Sequence, residues 1–520
     1  MTQASTLKIQ LTGTEVTIDQ VWQVAKGKPG RDYVVELAPK ARENMLASRQ
    51  YIESRIGSGE AIYGVNTGFG AFSSVRISDA EIEELQRNLI RSHSVGVGDL
   101  FSKEQSRAIL FLRANALSRG HSGIRVEVVE KLLEFLNNDV IPAIPSQGSV
   151  GASGDLAPLS HLALAIIGEG KCFGDGGAVV PVSGVLAAKG IQPLVMKAKE
   201  GLSMINGCQV MTAIGLLAAY EARRLCYLVD LSGAMTLEAM RGTRTAFDPL
   251  IAATRPHPGE AITASNLRRI LGETSPIAES HDNCNRVQDA YSLRCMPAVH
   301  GAAKDALAHG IRVLEVEANS STDNPLVFSK EGKILSCGNF HGEPVAFQLD
   351  FMAIAMSAMA SISECRIEKL INPAMSGLPA FLAPKGGLHS GHMIVQVAAA
   401  SLVSENKILS HPASVDSIPT SADKEDHVSM GTIAARKFQS IVRNAESIVA
   451  MEFLSATQAL DLLRPLEPSG LVKAAYDHIR KTVPFAENDR IFHDDIESIR
   501  EMIRAGELKQ GEPAVLLPRG

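Results

Sequence analysis

"GCQVMTAIGLLAAYEARRLCYLVDLSGAMTLEAMRG", residues 207–242, contains no proline and carries Ala, Leu, Ile and Met on more than one face of a 3.6-residue repeat. Such a stretch predicts one long helix, about 50 Å if unbroken at ~1.5 Å per residue. A helix apolar on several faces has to be buried on several sides. "AFQLDFMAIAMSAMASISECRIEKLIN" (346–372) reads the same way and stops before Pro373. "GTIAARKFQSIVRNAESIVAMEFLSATQALDLLR" (431–464) is the third. Together they predict a mainly α fold with a long-helix bundle body. Its apolar faces exceed what one subunit covers, so an oligomer is expected.

Toward the N-terminus the pattern changes. "LKIQLTG" and "YVVELA" read as short strands, and "IYGVNTGFGAFSSVRIS" (62–78) is glycine-rich and turn-like. Ser78 and Glu81 form the spacing of a capping box, with Ile77 and Ile82 placed as a hydrophobic staple, before a helix over "EIEELQRNLIRSH". Further helices fit "KEQSRAILFLRANALSRG" and "VEVVEKLLEFLNNDV". The expected division is a mixed N-terminal domain over 1–205 and an α-helical bundle domain over 206–520. Internal repeats, low-complexity segments and charge blocks are not evident.

The bulk properties exclude several classes. Of 520 residues, 45% are hydrophobic and 21% charged, the range of an ordinary globular protein. A net charge of −6 argues against nucleic acid or an anionic membrane as the main partner. Seven cysteines are scattered without a CxxC pair, which fits a reducing cytoplasm better than a disulfide framework or a zinc ribbon. The first residues lack the apolar core of a signal peptide. The most apolar helical run, 351–362, is shorter than a bilayer span and follows Asp350, so a soluble protein is expected. HExxH, Walker A and strand-linked GxGxxG patterns are missing. His389 and His392 stand three apart, a spacing that suits a metal, but with no third ligand evident they read as polar turn residues; no metal is expected.

"GSVGASGDLAPLSH" (148–161) carries the chemistry. Its plain reading is a glycine-rich loop before a helix, with Asp155 or Ser153 as N-cap. Its sharper reading is cyclisation. The Gly154 nitrogen attacks the Ala152 carbonyl carbon, and loss of two waters, one involving the Ser153 hydroxyl, leaves an exocyclic methylidene. Glycine leaves that nitrogen unhindered and allows the tight approach. The positive end of the following helix favours negative charge developing there.

This loop resembles the prosthetic-group loop of the aromatic amino acid ammonia-lyases and aminomutases, a likeness that extends in matching order from about residue 60 to 465. The resemblance implies a mainly α, fumarase/aspartase-like fold. It also implies a 4-methylidene-imidazol-5-one (MIO) group made from Ala152, Ser153 and Gly154 with no external cofactor, and a homotetramer whose sites combine several subunits. "YGVNTGFG" (63–70) is similar to the base-bearing loop, so Tyr63 would be the base; an ordinary tyrosine pKa near 10 would have to be lowered for that. "GLSMINGCQ" (201–209) implies Asn206 beside the prosthetic group, though Asn206 also suits a helix N-cap. "VQDAYSLRCMP" (287–297) implies Gln288, Tyr291 and Arg294. Tyr291 and Arg294 share a helix face, and the arginine offers a fork for the substrate carboxylate rather than a surface salt bridge. "GNFHGEP" (338–344) implies Phe340 as an active-site side chain.

Two positions bear on the substrate. His93 in "RSHS" (91–94) resembles histidine-acting members, and some tyrosine-acting ones share it. In "SVDSIPTSADKEDHVSMG" (414–431), Glu425 stands where tyrosine- and phenylalanine-acting relatives read Asn-Gln-Asp-Val. A carboxylate accepts an imidazole N–H and is costly to bury beside a neutral phenyl ring. Outside its block, "DKEDH" would read as a solvated charged turn. The resemblance therefore implies elimination of ammonia from L-histidine to give trans-urocanate. A tyrosine ammonia-lyase or 2,3-aminomutase is the nearer alternative, and a non-catalytic helical scaffold the more distant one. Cys208, Met296, His300 and Lys424 depart from the family pattern and bear on fine substrate preference.

Overall fold

The structure is a computed structural model that describes residues 6–57, 62, 64–65, 67, 77–78, 81–282 and 287–518. Helices dominate it, as the long apolar stretches require. Two compact units are present, each assembled from three separate stretches: 1–220 with 311–350 and 412–436, and 221–310 with 351–411 and 437–520. The expected boundary at 205/206 follows composition along the chain, whereas these units follow packing.

The first unit holds every described strand. Leu7–Leu11 and Tyr33–Leu37 pair in parallel, as the alternating sequences suggest. Three short antiparallel pairs join Val97–Leu100 to Pro145–Gln147, Lys171–Phe173 to Val179–Pro181, and Leu326–Phe328 to Lys333–Leu335. The helix Lys103–Ser118 begins at a complete capping box made by Ser102 and Gln105. The helix expected after Ser78 runs over Ile82–His93. There the Ser78 hydroxyl donates to the Glu81 carboxylate, and the Glu81 amide donates to the Ser78 carbonyl. The helix has Glu81 at its N-cap, with no side-chain cap bond.

The three long helices are Gln209–Ala239, Glu343–Ile371 and Gly431–Asp461. The first ends in a Schellman pattern, with the amides of Arg241 and Gly242 donating to the carbonyls of Glu238 and Leu237. The left-handed position is taken by Arg241 (φ +52°), not by the glycine after it. The 29-residue helix Glu343–Ile371 is, among the described residues, long and apolar enough to cross a membrane, which corrects the expectation drawn from its 351–362 segment. Of its most apolar window, 61% is buried within the protein.

The second unit has a polar interior as well as an apolar one. Arg366 faces Glu452 (Nε–Oε1 2.5 Å, Nη2–Oε2 2.9 Å), and Glu452 also accepts from Ser232, Thr236 and Ser363. His300 donates through Nδ1 to Asp230 at 2.8 Å and accepts from Arg366 Nη1 at 3.2 Å. Lys304 and Asn266 complete the Asp230 carboxylate. All the charged groups are fully buried. Leaving any one unpaired would cost far more than the pair itself contributes, so the network specifies how these helices pack. Two of the four departures noted in the sequence are thereby accounted for: His300 belongs to this network, and Met296 is wholly buried with its sulfur against Gly233.

Candidate active site

The Ala-Ser-Gly loop is held in the first unit by glycine contacts that no other residue could make. Gly154 has φ +73°, and a Cβ there would lie 2.2 Å from the Gly207 carbonyl oxygen. Backbone bonds tie the two segments, Asp155 N–H to Gly207 O at 2.7 Å and Gly207 N–H to Ser153 O at 3.3 Å. On the other side, Met430 N–H donates to Val150 O, and the Ser429 hydroxyl donates to Gly151 O. Ala152 is buried and Ser153 half-buried. The backbone therefore offers the small, left-handed, closely packed cradle that ring closure at 152–154 demands.

Asp155 does not cap its own helix. That helix, Leu156–Ile166, has no side-chain cap. The carboxylate instead accepts from the amides of Val210 and Met211, both at 2.9 Å, and so caps the start of Gln209–Ala239. Ser149 and Thr432 donate to its other oxygen. Burial pushes the Asp155 carboxyl up to about 6, with these donors opposing the rise. Two helices thus begin within a few residues of Gly154 and Gly207, and their partial positive ends lie next to the loop.

Glu425 reaches the loop from a strained turn. Ser421, Ala422 and Asp423 are all left-handed (φ +51°, +54° and +62°), and Thr420 and Glu425 pair across them. Thr420 and Ser421 donate to Glu425 Oε2 at 2.7 and 2.8 Å. Oε1 accepts from the Ser153 hydroxyl at 3.0 Å. Strain of this kind, about 1 kcal/mol or more per residue, persists only where surrounding contacts over-determine it. The solvated-turn reading of "DKEDH" therefore holds for Lys424 and Asp426 but not for Glu425.

Asn206 closes the helix Glu200–Ile205 rather than opening the next one. Its Nδ2 donates to Asp323 Oδ1 at 3.3 Å. Asp323 Oδ2 accepts from Lys199 Nζ and Ser203 Oγ, each at 2.7 Å. Lys199 is fully buried, and burial lowers its pKa while Asp323 opposes the fall. Buried Arg113 donates to the carbonyls of Ser203 and Asn206 and to Gln209. Cys208 donates to the Phe340 carbonyl at 3.1 Å. Beside it, burial raises the Glu317 carboxyl to about 7, with the Cys208 hydrogen bond opposing. Lys199, Asp323, Arg113 and Glu317 were not singled out from the sequence.

His93 ends the helix Ile82–His93, with Nδ1 2.9 Å from the Leu89 carbonyl. Burial lowers its pKa; the Leu89 bond and the Glu425 charge oppose this. The ring is therefore neutral at pH 7, with Nδ1 as donor. Tyr63 lies outside the described residues.

Gln288, Tyr291 and Arg294 come together in the second unit. Arg294 lies over the Tyr291 ring, 4.6 Å from its centroid, and donates to Gln288 Oε1 at 3.0 Å and to Asp289 O at 3.2 Å. These partners are neutral oxygens, and the guanidinium makes no ion pair among the described residues. Tyr291 is 72% exposed, so it is not a packing residue of this unit.

The site is thus a closely packed glycine-rich loop faced by a carboxylate that a strained turn presents, on a mainly helical scaffold. The sequence pattern of the aromatic amino acid lyase family matches residues 16–481, and the chain belongs to that family. The histidine ammonia-lyase of Myxococcus xanthus (strain DK1622) is 49% identical over 502 residues, covering 96% of this chain and 97% of its own. Among solved structures, the histidine ammonia-lyase of Trypanosoma cruzi superposes with a TM-score of 0.91 at 41% identity, over 99% and 96% of the two chains. The tyrosine aminomutase of Streptomyces globisporus superposes with a TM-score of 0.92 at 37% identity, over 98% and 100%.

Proposed function

We propose that this chain is a carbon–nitrogen lyase that eliminates ammonia from L-histidine to give trans-urocanate, using an MIO group formed from Ala152, Ser153 and Gly154. The observation that carries the reading is the Glu425 carboxylate 3.0 Å from the Ser153 hydroxyl. That hydroxyl is the group lost on ring closure. Its loss leaves Glu425 Oε1 free, with Oε2 still held by Thr420 and Ser421, to accept an imidazole N–H. The identity of about one half with a histidine ammonia-lyase over nearly the whole chain supports the same substrate.

When formed, the ring supplies an electrophilic methylidene carbon that makes the substrate amine a better leaving group. The remaining work falls to side chains. His93, neutral and tied at Nδ1, presents Nε2 as an acceptor and with Glu425 orients the imidazole. Arg294, stacked with Tyr291 and braced by Gln288, takes the carboxylate. Asn206, held by Asp323, would stand beside the ring, and the family resemblance assigns Phe340 to the wall of the site. Tyr63 removes the β-proton. That proton is weakly acidic, so positioning and electrostatic preorganisation supply most of the rate.

The protein acts as a cytoplasmic homotetramer in this reading. Phe347, Phe351 and Ile354, spaced for one helix face of Glu343–Ile371, are each more than 40% exposed in the single chain, which supports burial by another subunit. The mass of the intact protein tests the prosthetic group: the mature chain weighs two waters less than its sequence. Ser153→Ala abolishes both the deficit and the activity. An active protein of full sequence mass refutes the assignment.

A further inference from the structure

We propose that His341, Glu343 and His427 form a binding site for one divalent transition-metal ion of the Zn2+ type, clipping together the two loops that carry Phe340 and Glu425. One ligand atom from each residue lies within 4.8 Å of the other two. Glu343 Oε2 is central: it stands 3.9 Å from His341 Nδ1 and 3.8 Å from His427 Nε2. Those separations are too long for hydrogen bonds. They are close to the roughly 3.4 Å between ligand atoms that a tetrahedral ion with bonds of about 2.0–2.1 Å requires. Glu343 Oε2 is out of contact with solvent and has no hydrogen-bond partner among the described residues. A carboxylate oxygen buried in that state calls for a cation.

The surroundings have the features of a ligand shell. His341 Nε2 is 3.2 Å from the His427 carbonyl, so it carries the proton and leaves the Nδ1 lone pair directed at Glu343. A second ring nitrogen bonded to a backbone carbonyl is the usual support for a metal-bound histidine. Nδ1 otherwise accepts only a long 3.3 Å bond from the Glu343 amide, which an ion would replace. The two imidazoles are parallel within 3°, with centroids 5.7 Å apart. Gly342 fixes the turn between the first two ligands, since a Cβ there would meet Met211 at 2.6 Å and Ser429 at 2.8 Å. His427 is 68% exposed, leaving an open side for water as a fourth ligand. Two imidazoles and one carboxylate suit a borderline ion such as Zn2+ better than Mg2+ or Ca2+. Phe340 precedes His341 directly and Glu425 lies two residues before His427, so an ion here would set the gap between them.

The test is direct binding of Co2+, a coloured stand-in for Zn2+, to the purified, metal-stripped oligomer. Binding is followed by calorimetry and by the visible spectrum. The expected result is one Co2+ per chain with the intense absorption of a four-coordinate site. His427→Ala and Glu343→Gln should each weaken binding at least ~10-fold and remove that absorption. His427 is exposed, so its replacement leaves folding intact. No stoichiometric binding to the parent protein, or binding unchanged in both variants, overturns the proposal.

Discussion

Asp323→Asn is the most informative single change in the first unit. Asp323 meets the Lys199 ammonium and the Ser203 hydroxyl at 2.7 Å and holds the Asn206 amide at 3.3 Å. Both members of the ion pair are almost fully buried, 0% and 3% exposed. The substitution is nearly isosteric, so it removes charge without opening a cavity. Removing one partner of such a pair leaves an uncompensated buried charge and costs about 3–5 kcal/mol. At roughly 2 °C per kcal/mol, the low end expected for a large unit, melting should fall by about 6–10 °C. The amide keeps one acceptor oxygen where the carboxylate had two, so it cannot serve both Lys199 with Ser203 and Asn206; a misplaced group in an active site lowers kcat/KM by about 10–100-fold. Replacing the pair together, Lys199→Met with Asp323→Leu, should restore most of the melting temperature but not the activity. Differential scanning calorimetry and steady-state rates of urocanate formation read the two effects separately. An Asp323→Asn protein that melts within about 1 °C of the parent and turns over normally would refute the argument.

Three further outcomes follow from the same geometry. Gly154→Ala places a Cβ 2.2 Å from the Gly207 carbonyl oxygen, so the loop must move and the protein should keep its full sequence mass; a normal two-water deficit contradicts this. His300 is held down to about 4 by burial, against the opposing Asp230 hydrogen bond. Because this folded value is depressed, the unfolded chain binds the proton first. The His300 contribution is complete above pH ~6.5 and lost as pH falls toward 4, about 3 kcal/mol in all. Asp155 and Glu317, raised by burial to about 6 and about 7, act in the opposite sense and stabilise as they protonate. The parent therefore shows a net slope, and His300→Gln should lose less melting temperature than the parent between pH 7 and 5; equal losses would exclude His300 as a contributor. Ala422 sits at φ +54° in the turn that presents Glu425, so Ala422→Val should raise KM for histidine while Ala422→Gly leaves it unchanged. Equal KM values for the two variants would show that the turn does not set the position of Glu425.

The long helices were readable because their interiors lack proline and are apolar on more than one face, a pattern with few other solutions. The Ala-Ser-Gly loop and Glu425 were readable through the family resemblance, and the structure brings them within hydrogen-bonding distance across the chain. What was hidden is non-local. Asp155 looks like the cap of the helix that follows it, and only tertiary contact reveals that it caps Gln209–Ala239. Asp323, Lys199 and Glu317 sit in no motif, and their pairing is set by the packing of separate segments. The left-handed turn at 421–423 and the left-handed Arg241 escape notice because no glycine marks them. The His341–Glu343–His427 cluster was hidden because its members come from two segments far apart in the chain, whereas His389 and His392, conspicuous at a spacing of three, belong to no three-donor group among the described residues.

The central claim is that this site acts on L-histidine. The most direct measurement is NMR of the products after the purified protein has been incubated separately with L-histidine, L-tyrosine and L-phenylalanine. The account predicts trans-urocanate and ammonia from histidine and no product from the other two. Coumarate or a β-amino acid from tyrosine, with histidine left intact, would contradict it and would show that the Glu425 carboxylate serves something other than an imidazole.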